Sequence, residues 1–238
     1  MDQKDRSPAA VGADQVKPIG VFAGLSAQAM DHCASRAGQR QLRKGEAIFH
    51  QGDRPARFHA LHSGWVRVMQ TGRNGELSVI RFVGPGELFG SFAIFTGDGY
   101  PADATAIMDS VELSWSEADL RQLIDRHPEI AINLVTLAAG RLAELQERMR
   151  EISTQHAEQR IANTLLRLAR KGGQRSADGG IDILLPLLRK DIAAMSATTL
   201  HTASRVLSAW RRRGLISGAA GRLSILRPPA LERIAEGA

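Results

Sequence analysis

Apolar residues follow two different periods along this chain, and the change from one to the other divides it. Between Arg40 and Trp115 they come in short, partly alternating runs: Ala47-Ile48-Phe49, Trp65-Val66-Arg67-Val68-Met69, Leu77-Ser78-Val79-Ile80-Arg81-Phe82-Val83, Ala102-Asp103-Ala104-Thr105-Ala106 and Val111-Glu112-Leu113-Ser114-Trp115. Gly45, Gly52-Asp53, Gly64, Asn74-Gly75, Gly84-Pro85-Gly86 and Gly97-Asp98-Gly99 punctuate them. Short strands at this spacing with Gly-rich turns predict an antiparallel sandwich or barrel. Asn74-Gly75 is a hairpin turn, because both residues tolerate a positive φ.

On either side the period is helical. Ser26 caps a helix through Ala29, Met30 and Cys33, its hydroxyl accepting from an amide of the first turn. Cys33, the one cysteine, is expected to pack in the interior. Ser116 caps a second helix through Leu120, Leu123 and Ile124 that ends before Pro128. A long helix follows, in which Ala131, Val135, Ala138, Leu142, Leu145, Met149 and Ile152 recur at alternating spacings of four and three. Such a two-in-seven stripe is narrower than the face a helix turns to its own domain. It predicts a parallel homodimer seam through Val135, Ala138, Leu142, Leu145, Met149 and Ile152. The alternative is a helix packed only on its own subunit.

Residues 157–170 form a further amphipathic helix on Ile161, Leu165 and Leu168, ended by Lys171-Gly172-Gly173. A loop over 176–180 and a short strand over 181–187 lead to two short helices joined by a tight turn. Ile192, Ala193 and Met195 give the first an apolar side, and Ser196 and Ala197 are small enough for the turn. Thr198 is the expected N-cap of the second, whose Ala203, Val206, Leu207 and Trp210 would face the core. His201, Thr202, Ser204, Arg205 and Ser208 are left outside. A helix that presents a hydroxyl, an imidazole and a guanidinium to solvent can read base edges in a major groove, although an ordinary amphipathic helix pair has the same spacing. Arg211-Arg212-Arg213-Gly214-Leu215-Ile216 and Arg222-Leu223-Ser224-Ile225-Leu226 then form a wing that turns at Gly218 and Gly221.

Charge separates these readings. Residues 157–238 hold 14 Lys and Arg against 6 Asp and Glu, whereas residues 1–156 hold 17 against 19. A near-neutral front and a basic back point to a polyanion partner for the back. Arg189 and Lys190 would contact phosphate. The arginines from Arg211 to Arg213 suit either phosphate or a helix end that favours cations.

Gly45-Glu46-Ala47-Ile48-Phe49-His50-Gln51-Gly52-Asp53 and Phe82-Val83-Gly84-Pro85-Gly86-Glu87-Leu88-Phe89-Gly90 resemble the conserved turns of the cyclic-nucleotide-binding β-roll. With the helix pair, the chain from Phe22 onward resembles the Crp/Fnr family of bacterial transcription regulators. The resemblance implies an α+β fold: a disordered tail over 1–18, an antiparallel β-roll sensor domain over 19–127, a dimerisation helix over 128–156 and a winged helix-turn-helix over 157–238. It implies a homodimer on palindromic double-stranded DNA, an effector in the roll and RNA polymerase as a further partner; a cytoplasmic location is expected from the lack of a signal-peptide or membrane-span pattern.

The family's recognition motif closes on an Arg, matched here by Arg205, and Ser204 matches the Ser of the oxygen-sensor branch. His201 stands where the best-known members have Glu. The run Thr199-Leu200-His201-Thr202-Ala203-Ser204-Arg205 resembles the nitric-oxide-responsive, NnrR-type regulators of denitrification. The expected DNA-reading set is therefore Arg189, Lys190, Thr199, His201, Thr202, Ser204, Arg205 and Arg211. The effector pocket would be formed by Gly86, Leu88, Phe89, Gly90, Ser91 and Tyr100.

Cyclic-AMP-binding members follow the Gly-Glu-Leu-Phe-Gly turn with a Glu and grip the phosphate with an Arg about ten residues later. Here those places hold Ser91 and Tyr100-Pro101-Ala102, which argues against cyclic AMP. The absence of an N-terminal cysteine cluster argues against an iron–sulfur cluster. Haem stays open as a cofactor, with His32, His50, His59, His62 and His127 as candidate axial ligands. His59 and His62 are three apart and would point to opposite faces of a strand, so no convergent metal site is expected there.

A single cysteine rules out an intrachain disulfide and a four-cysteine metal site. No stretch reads as a signal peptide or a membrane span. No nucleophile–base pair or phosphate-cradling loop appears, so no enzyme activity is expected. Two rivals remain: a cupin-like metalloenzyme, and a cyclic-nucleotide-type signalling module whose basic half contacts proteins.

Overall fold

The computed structural model describes residues 10–218 and 221–237, the side chain of Phe92 excepted. By contacts the chain divides into two units, and the sequence boundary between them falls within one long helix. The first runs to Leu77 and resumes over Arg81–Arg141; the second comprises Ser78–Ile80 and everything from Leu142 onward.

In the first unit, α1 (Ala13–Val16), a single 3-10 turn (Gly20–Phe22) and α2 (Ala27–Ser35) precede the strands. Ser26 caps α2 as expected, its hydroxyl accepting from the Ala29 amide at 3.2 Å. The expected tail over 1–18 needs correction for its described part. Val16 and Ile19 are 0% and 1% exposed, and Val11 and Ala13 also pack on the core. Two short apolar pairs carry no readable period, so only tertiary contact orders them. Residues 1–9 of that tail lie outside the described residues.

The strands are β1 (Gly38–Leu42), β2 (Ala47–Phe49), β3 (Arg57–Ser63), β4 (Val66–Thr71), β5 (Leu77–Val83), β6 (Leu88–Phe89), β7 (Asp103–Ala106) and β8 (Ser110–Ser116). They form two four-stranded sheets, ordered β1-β8-β3-β6 and β2-β7-β4-β5. Pairing is antiparallel throughout the first sheet and from β2 through β7 to β4. The short α3 (Ser91–Thr96) lies between β6 and β7, set off by Gly90 and Gly97 at φ 68° and 74°.

Strand alternation places a core on each side of the first sheet. Phe58 pairs with Trp115 and Ala60 with Leu113 across β3 and β8, and these four face the helices. Trp115 ties the parts together. It stacks on Phe58 at 4.9 Å between ring centroids, meets Phe22 edge-on at 5.2 Å, and donates its indole N–H to the Cys33 carbonyl at 2.8 Å. Cys33 is fully buried, and burial pushes its thiol up to about 11. On the other side of the sheet, Leu61 packs with Phe49, Val66, Val83, Phe89 and Tyr100 inside the roll.

After β8, Ser116 caps α4 (Glu117–Arg126) through the Asp119 amide at 3.1 Å. The long helix α5 (Glu129–Thr154) follows. Near its start Asn133 donates to the carbonyls of Val21 and Ala23 at 3.0 and 2.9 Å.

The second unit is built on α6 (Ala157–Gly172), whose Ile161, Ala162, Leu165 and Leu168 are buried. A sheet ordered β11-β12-β10-β9 joins it: β9 (Gly173–Arg175), β10 (Ile181–Ile183), β11 (Ile216–Ser217) and β12 (Leu223–Ile225). The expected wing is the β11–β12 pair, with Ile216 opposite Ile225. Gly218 enters its turn at φ 115°, where a Cβ would fall 2.1 Å from the Arg222 carbonyl oxygen. The helix pair is α7 (Arg189–Met195) and α8 (Leu200–Arg212), and α9 (Pro228–Glu236) closes the unit.

The α7–α8 turn differs from expectation by one residue. Ala197 has φ 48°, the one positive value outside glycine among the described residues. Its amide bonds the Ala194 carbonyl at 3.2 Å and the next amide, Thr198, reaches back to Ala193 at 3.0 Å. This is the double closure of a Schellman motif. Thr198 is thereby used to end α7. The N-cap of α8 passes to Thr199, whose hydroxyl accepts from the Thr202 amide at 3.1 Å.

Left-handed backbone costs an L-residue roughly 1–2 kcal/mol, part of which glycine's greater freedom in the unfolded chain returns. Ala197→Gly is therefore expected to stabilise the second unit by about 0.5–1 kcal/mol, measured as a raised urea midpoint. A lowered midpoint would show that the turn is not strained.

Candidate nucleic-acid interface and effector pocket

On α8 the core side is Ala203, Leu207 and Trp210, at 0%, 3% and 0% exposure. Val206, expected beside them, is only half-buried. The Trp210 indole donates to Glu158 on α6 at 2.7 Å, which fixes the rotation of α8 about its axis. His201 and Arg205 are exposed one turn apart, with Thr202, Ser204 and Ser208 half-buried beside them.

Arg189 and Lys190 are exposed at the first two positions of α7, and Arg211 is exposed in the last turn of α8. These two placements have different physical meanings. A helix C-terminus favours cations, so Arg211 and Arg212 need no partner to explain them. A helix N-terminus disfavours them. Arg189 and Lys190 are held there against that preference, eased by buried Asp191, which accepts from the Leu188 amide at 3.1 Å.

Two arginines escaped the sequence reading. Arg160 on α6 donates to three carbonyls: Nε to Ser196 at 2.9 Å, Nη2 to Ala197 at 3.0 Å and Nη1 to Gln155 at 2.6 Å. Arg148 on α5 donates to the Met195 carbonyl at 3.2 Å. The sequence shows both only as polar positions on amphipathic helices.

Inside the roll, a cavity of about 160 Å³ is lined by Phe89, Gly90, Ser91 and Tyr100 of the expected pocket. Leu88 and Gly86 lie away from it. Alternation turns Leu88 to the opposite core, and Gly86 backs onto the Pro18 carbonyl, 2.7 Å from where a Cβ would be. Phe49, Val68, Arg81 and Arg141 also line the cavity. Arg81 donates to the Leu88 carbonyl at 2.7 Å and Arg141 donates to the same oxygen. The Ser91 hydroxyl is buried there without a hydrogen-bond partner. The visible signal for Arg81 is its place within an apolar run; Arg141 comes from α5 and has none.

A second, more open cavity of about 430 Å³ shares Phe49 and Tyr100 as a wall. The two rings stack at 3.8 Å. Behind them His59 joins Glu112 through Nδ1 and the Tyr100 hydroxyl through Nε2 at 3.1 Å, and Arg40 holds Glu112 at 3.0 Å. Tyr100 donates to the Arg57 carbonyl at 2.9 Å, and burial raises its phenol above the ordinary range.

Of the five candidate haem ligands, only His59 lines either cavity, and both its ring nitrogens are engaged. His50 is exposed beside Asp103, and His32 and His127 bond each other at 3.1 Å. His62 sits at a bulge in β3. These residues do not fit a haem. No group of three or more His, Cys, Asp or Glu among the described residues could hold a metal ion, and no described helix is long and apolar enough to cross a membrane.

The cyclic nucleotide-binding domain model matches residues 39–127, and the Crp-like helix-turn-helix domain model matches 159–234. A cyclic AMP receptor protein of Thermus thermophilus is 32% identical over 91% of this chain and 97% of its own length. The chain belongs to the Crp/Fnr family of bacterial transcription regulators. The nitrogen fixation regulation protein FixK of Rhizobium meliloti is 30% identical over 80% of the regulator and 83% of its own length. Among solved structures, the catabolite activator protein of Thermus thermophilus superposes with a TM-score of 0.53 at 31% identity, covering 93% of the regulator and 99% of that chain. FixK2 of Bradyrhizobium japonicum superposes with a TM-score of 0.73 at 24% identity, covering 83% and 96%. These relatives are transcription regulators rather than enzymes.

His32, bonded to His127, should give the regulator an acid response. Burial first, then the charges of Arg126, His127 and Arg36, hold the His32 imidazole below its ordinary 6.5. The unfolded chain therefore takes up this proton before the folded one. Stability should be full above pH 6.5 and decline as pH falls below it. His32→Gln should make the fall in melting temperature below pH 6.5 shallower; an acid limb as steep as wild type would refute the assignment.

Proposed function

We propose that this regulator binds a palindromic operator as an effector-controlled homodimer, with α8 in the major groove of each half-site. The observation that carries the reading is the exposed cation pair at the start of α7 beside the exposed His201–Arg205 face. Helix electrostatics alone would not place Arg189 and Lys190 there, and a phosphate backbone supplies the missing anion. Arg205 bonds a guanine bidentately, and Thr199, Thr202, Ser204 and Arg211 supply shorter contacts to bases and phosphate. His201, able to donate or accept, relaxes the reading of its base.

The second copy is argued from α5. Val135, Leu142, Leu145, Met149 and Ile152 are 51–69% exposed at heptad spacing, with Ala138 half-buried among them. Lone exposed leucines are ordinary, but a continuous stripe is a surface that another copy covers. Pairing along it sets two α8 helices about 34 Å apart, one turn of DNA. A cytoplasmic location and contact with RNA polymerase follow from this role.

The effector we favour is compact and largely apolar. Its body meets Phe49, Val68 and Phe89, and one polar group of it meets the buried Ser91 hydroxyl. The Thermus relative is named for cyclic AMP. Here Ser91 and Tyr100-Pro101-Ala102 remove the side chains that would hold a cyclic phosphate, and about 160 Å³ is small beside the ~300–1,000 Å³ usual for larger ligands. A nitric-oxide response rests on the resemblance of the run Thr199-Leu200-His201-Thr202-Ala203-Ser204-Arg205, without a fitting haem ligand behind it.

Operator selection from random duplexes, followed by gel shift, tests the reading. Arg205→Ala should cost about 1–3 kcal/mol of discrimination at one base pair while the circular dichroism spectrum stays unchanged; undiminished operator affinity would remove its role. Leu145→Glu should shift the sedimenting species from dimer to monomer, and a wild-type monomer at micromolar concentration would refute the seam.

A further inference from the structure

The Arg160 guanidinium faces no solvent anion. All three of its nitrogens are spent on main-chain carbonyls, at Gln155, Ser196 and Ala197. Gln155 belongs to the joint between α5 and α6, while Ser196 and Ala197 form the turn between α7 and α8. Arg148, from the last part of α5, takes the carbonyl just before, Met195. Three successive carbonyls at the end of α7 are thus held by cations from the two preceding helices. Backbone amides also close the turn, so the arginines brace it and add a tie that those amides do not supply. They fix its position relative to the α5–α6 joint.

The chemistry favours that role. A guanidinium is planar and rigid, so three donors engaged at once fix the spacing of three acceptors. A lysine could meet one or two of them, with a flexible stem. Both cations also lie at the C-terminal end of α7, where helix carbonyls gather negative potential. The next element after the turn is α8, which starts two residues beyond Ala197 at its cap Thr199. A displacement of the joint is therefore carried to the turn, and from the turn to His201 and Arg205.

We propose that Arg160, supported by Arg148, is a positioning residue for DNA reading. It couples the end of the long helix to the orientation of α8 without touching DNA. This rests on the DNA-reading function proposed above. It distinguishes Arg160 from the exposed Arg189, whose charge would be spent on phosphate.

The test compares wild type, Arg160→Lys and Arg189→Gln in the full chain. Arg160→Lys keeps the charge and most of the stem, which guards against loss of fold, and circular dichroism checks it. Hydrogen–deuterium exchange is read at the amides of residues 197–199, and affinity for the selected operator and for random duplex is read across a salt series. Arg160→Lys is expected to exchange faster at the turn and lose about tenfold or more in operator affinity. Its random-duplex affinity and salt slope should stay at wild-type values. Arg189→Gln should instead lower the slope by about one. Equal loss on both duplexes with a lower slope would make Arg160 a phosphate contact and overturn the proposal, as would operator affinity within twofold of wild type. If wild type selects no operator, the DNA reading fails on its own; unchanged exchange at the turn would then overturn the clamp as well, and faster exchange would uphold it.

Discussion

The carbonyls at the end of α7 are the constraint on which the exposed face of His201 and Arg205 depends. The last turn of any helix leaves carbonyls without intrahelical donors, and a buried helix end must find donors elsewhere. Here the amides of Ser196, Ala197 and Thr198 bond the carbonyls of Ile192, Ala194 and Ala193, Arg148 takes that of Met195, and Arg160 takes the next two, Ser196 and Ala197. The solution forces Ala197 into left-handed backbone and hands the cap of α8 to Thr199. The start of α8 is thereby fixed at Thr199, while the Trp210–Glu158 bond fixes the rotation of that helix and so the side on which His201 and Arg205 stand one turn apart.

The first unit answers to a different rule. Strand alternation sends Phe58, Ala60, Leu113 and Trp115 to one core and His59, Leu61 and Glu112 to the other. The second core contains charge. Glu112 is 2% exposed and survives there because Arg40 and His59 both hold it. Tyr100 ends that chain and is stacked on Phe49 between two cavities. The wall of the smaller cavity is therefore supported from behind by a buried polar network. Such a network is costly when incompletely satisfied and specifies one arrangement when complete.

Much of this was legible in the sequence. The apolar runs at 47–49, 77–83 and 111–115 became strands, Ser26 and Ser116 became caps, and the heptad stripe became an exposed stripe on one long helix. What failed had physical causes. β3 was hidden because Arg57, His59 and His62 interrupt its apolar positions, and the partners that let His59 be buried lie far along the chain at Glu112 and Tyr100. Glu112 itself looked like the outward member of an alternating strand, since sequence does not show that β8 is covered on both faces. The Thr198 cap was one residue early because an alanine gives no notice of left-handed backbone, as a glycine would. Four of the six expected pocket residues line the cavity, but Arg81 and Arg141 reach it only through tertiary folding.

Trp115 and Trp210 have a use beyond packing. Each is fully buried, one at the centre of the first unit and one against α6 in the second, and Trp65 adds a further buried indole to the first. The protein therefore carries built-in fluorophores on both sides of its division. Its emission during denaturation is a sum of contributions from two separately packed bodies. A two-step trace would mean that the two units come apart at different strengths, and a single step would mean that they melt as one cooperative whole.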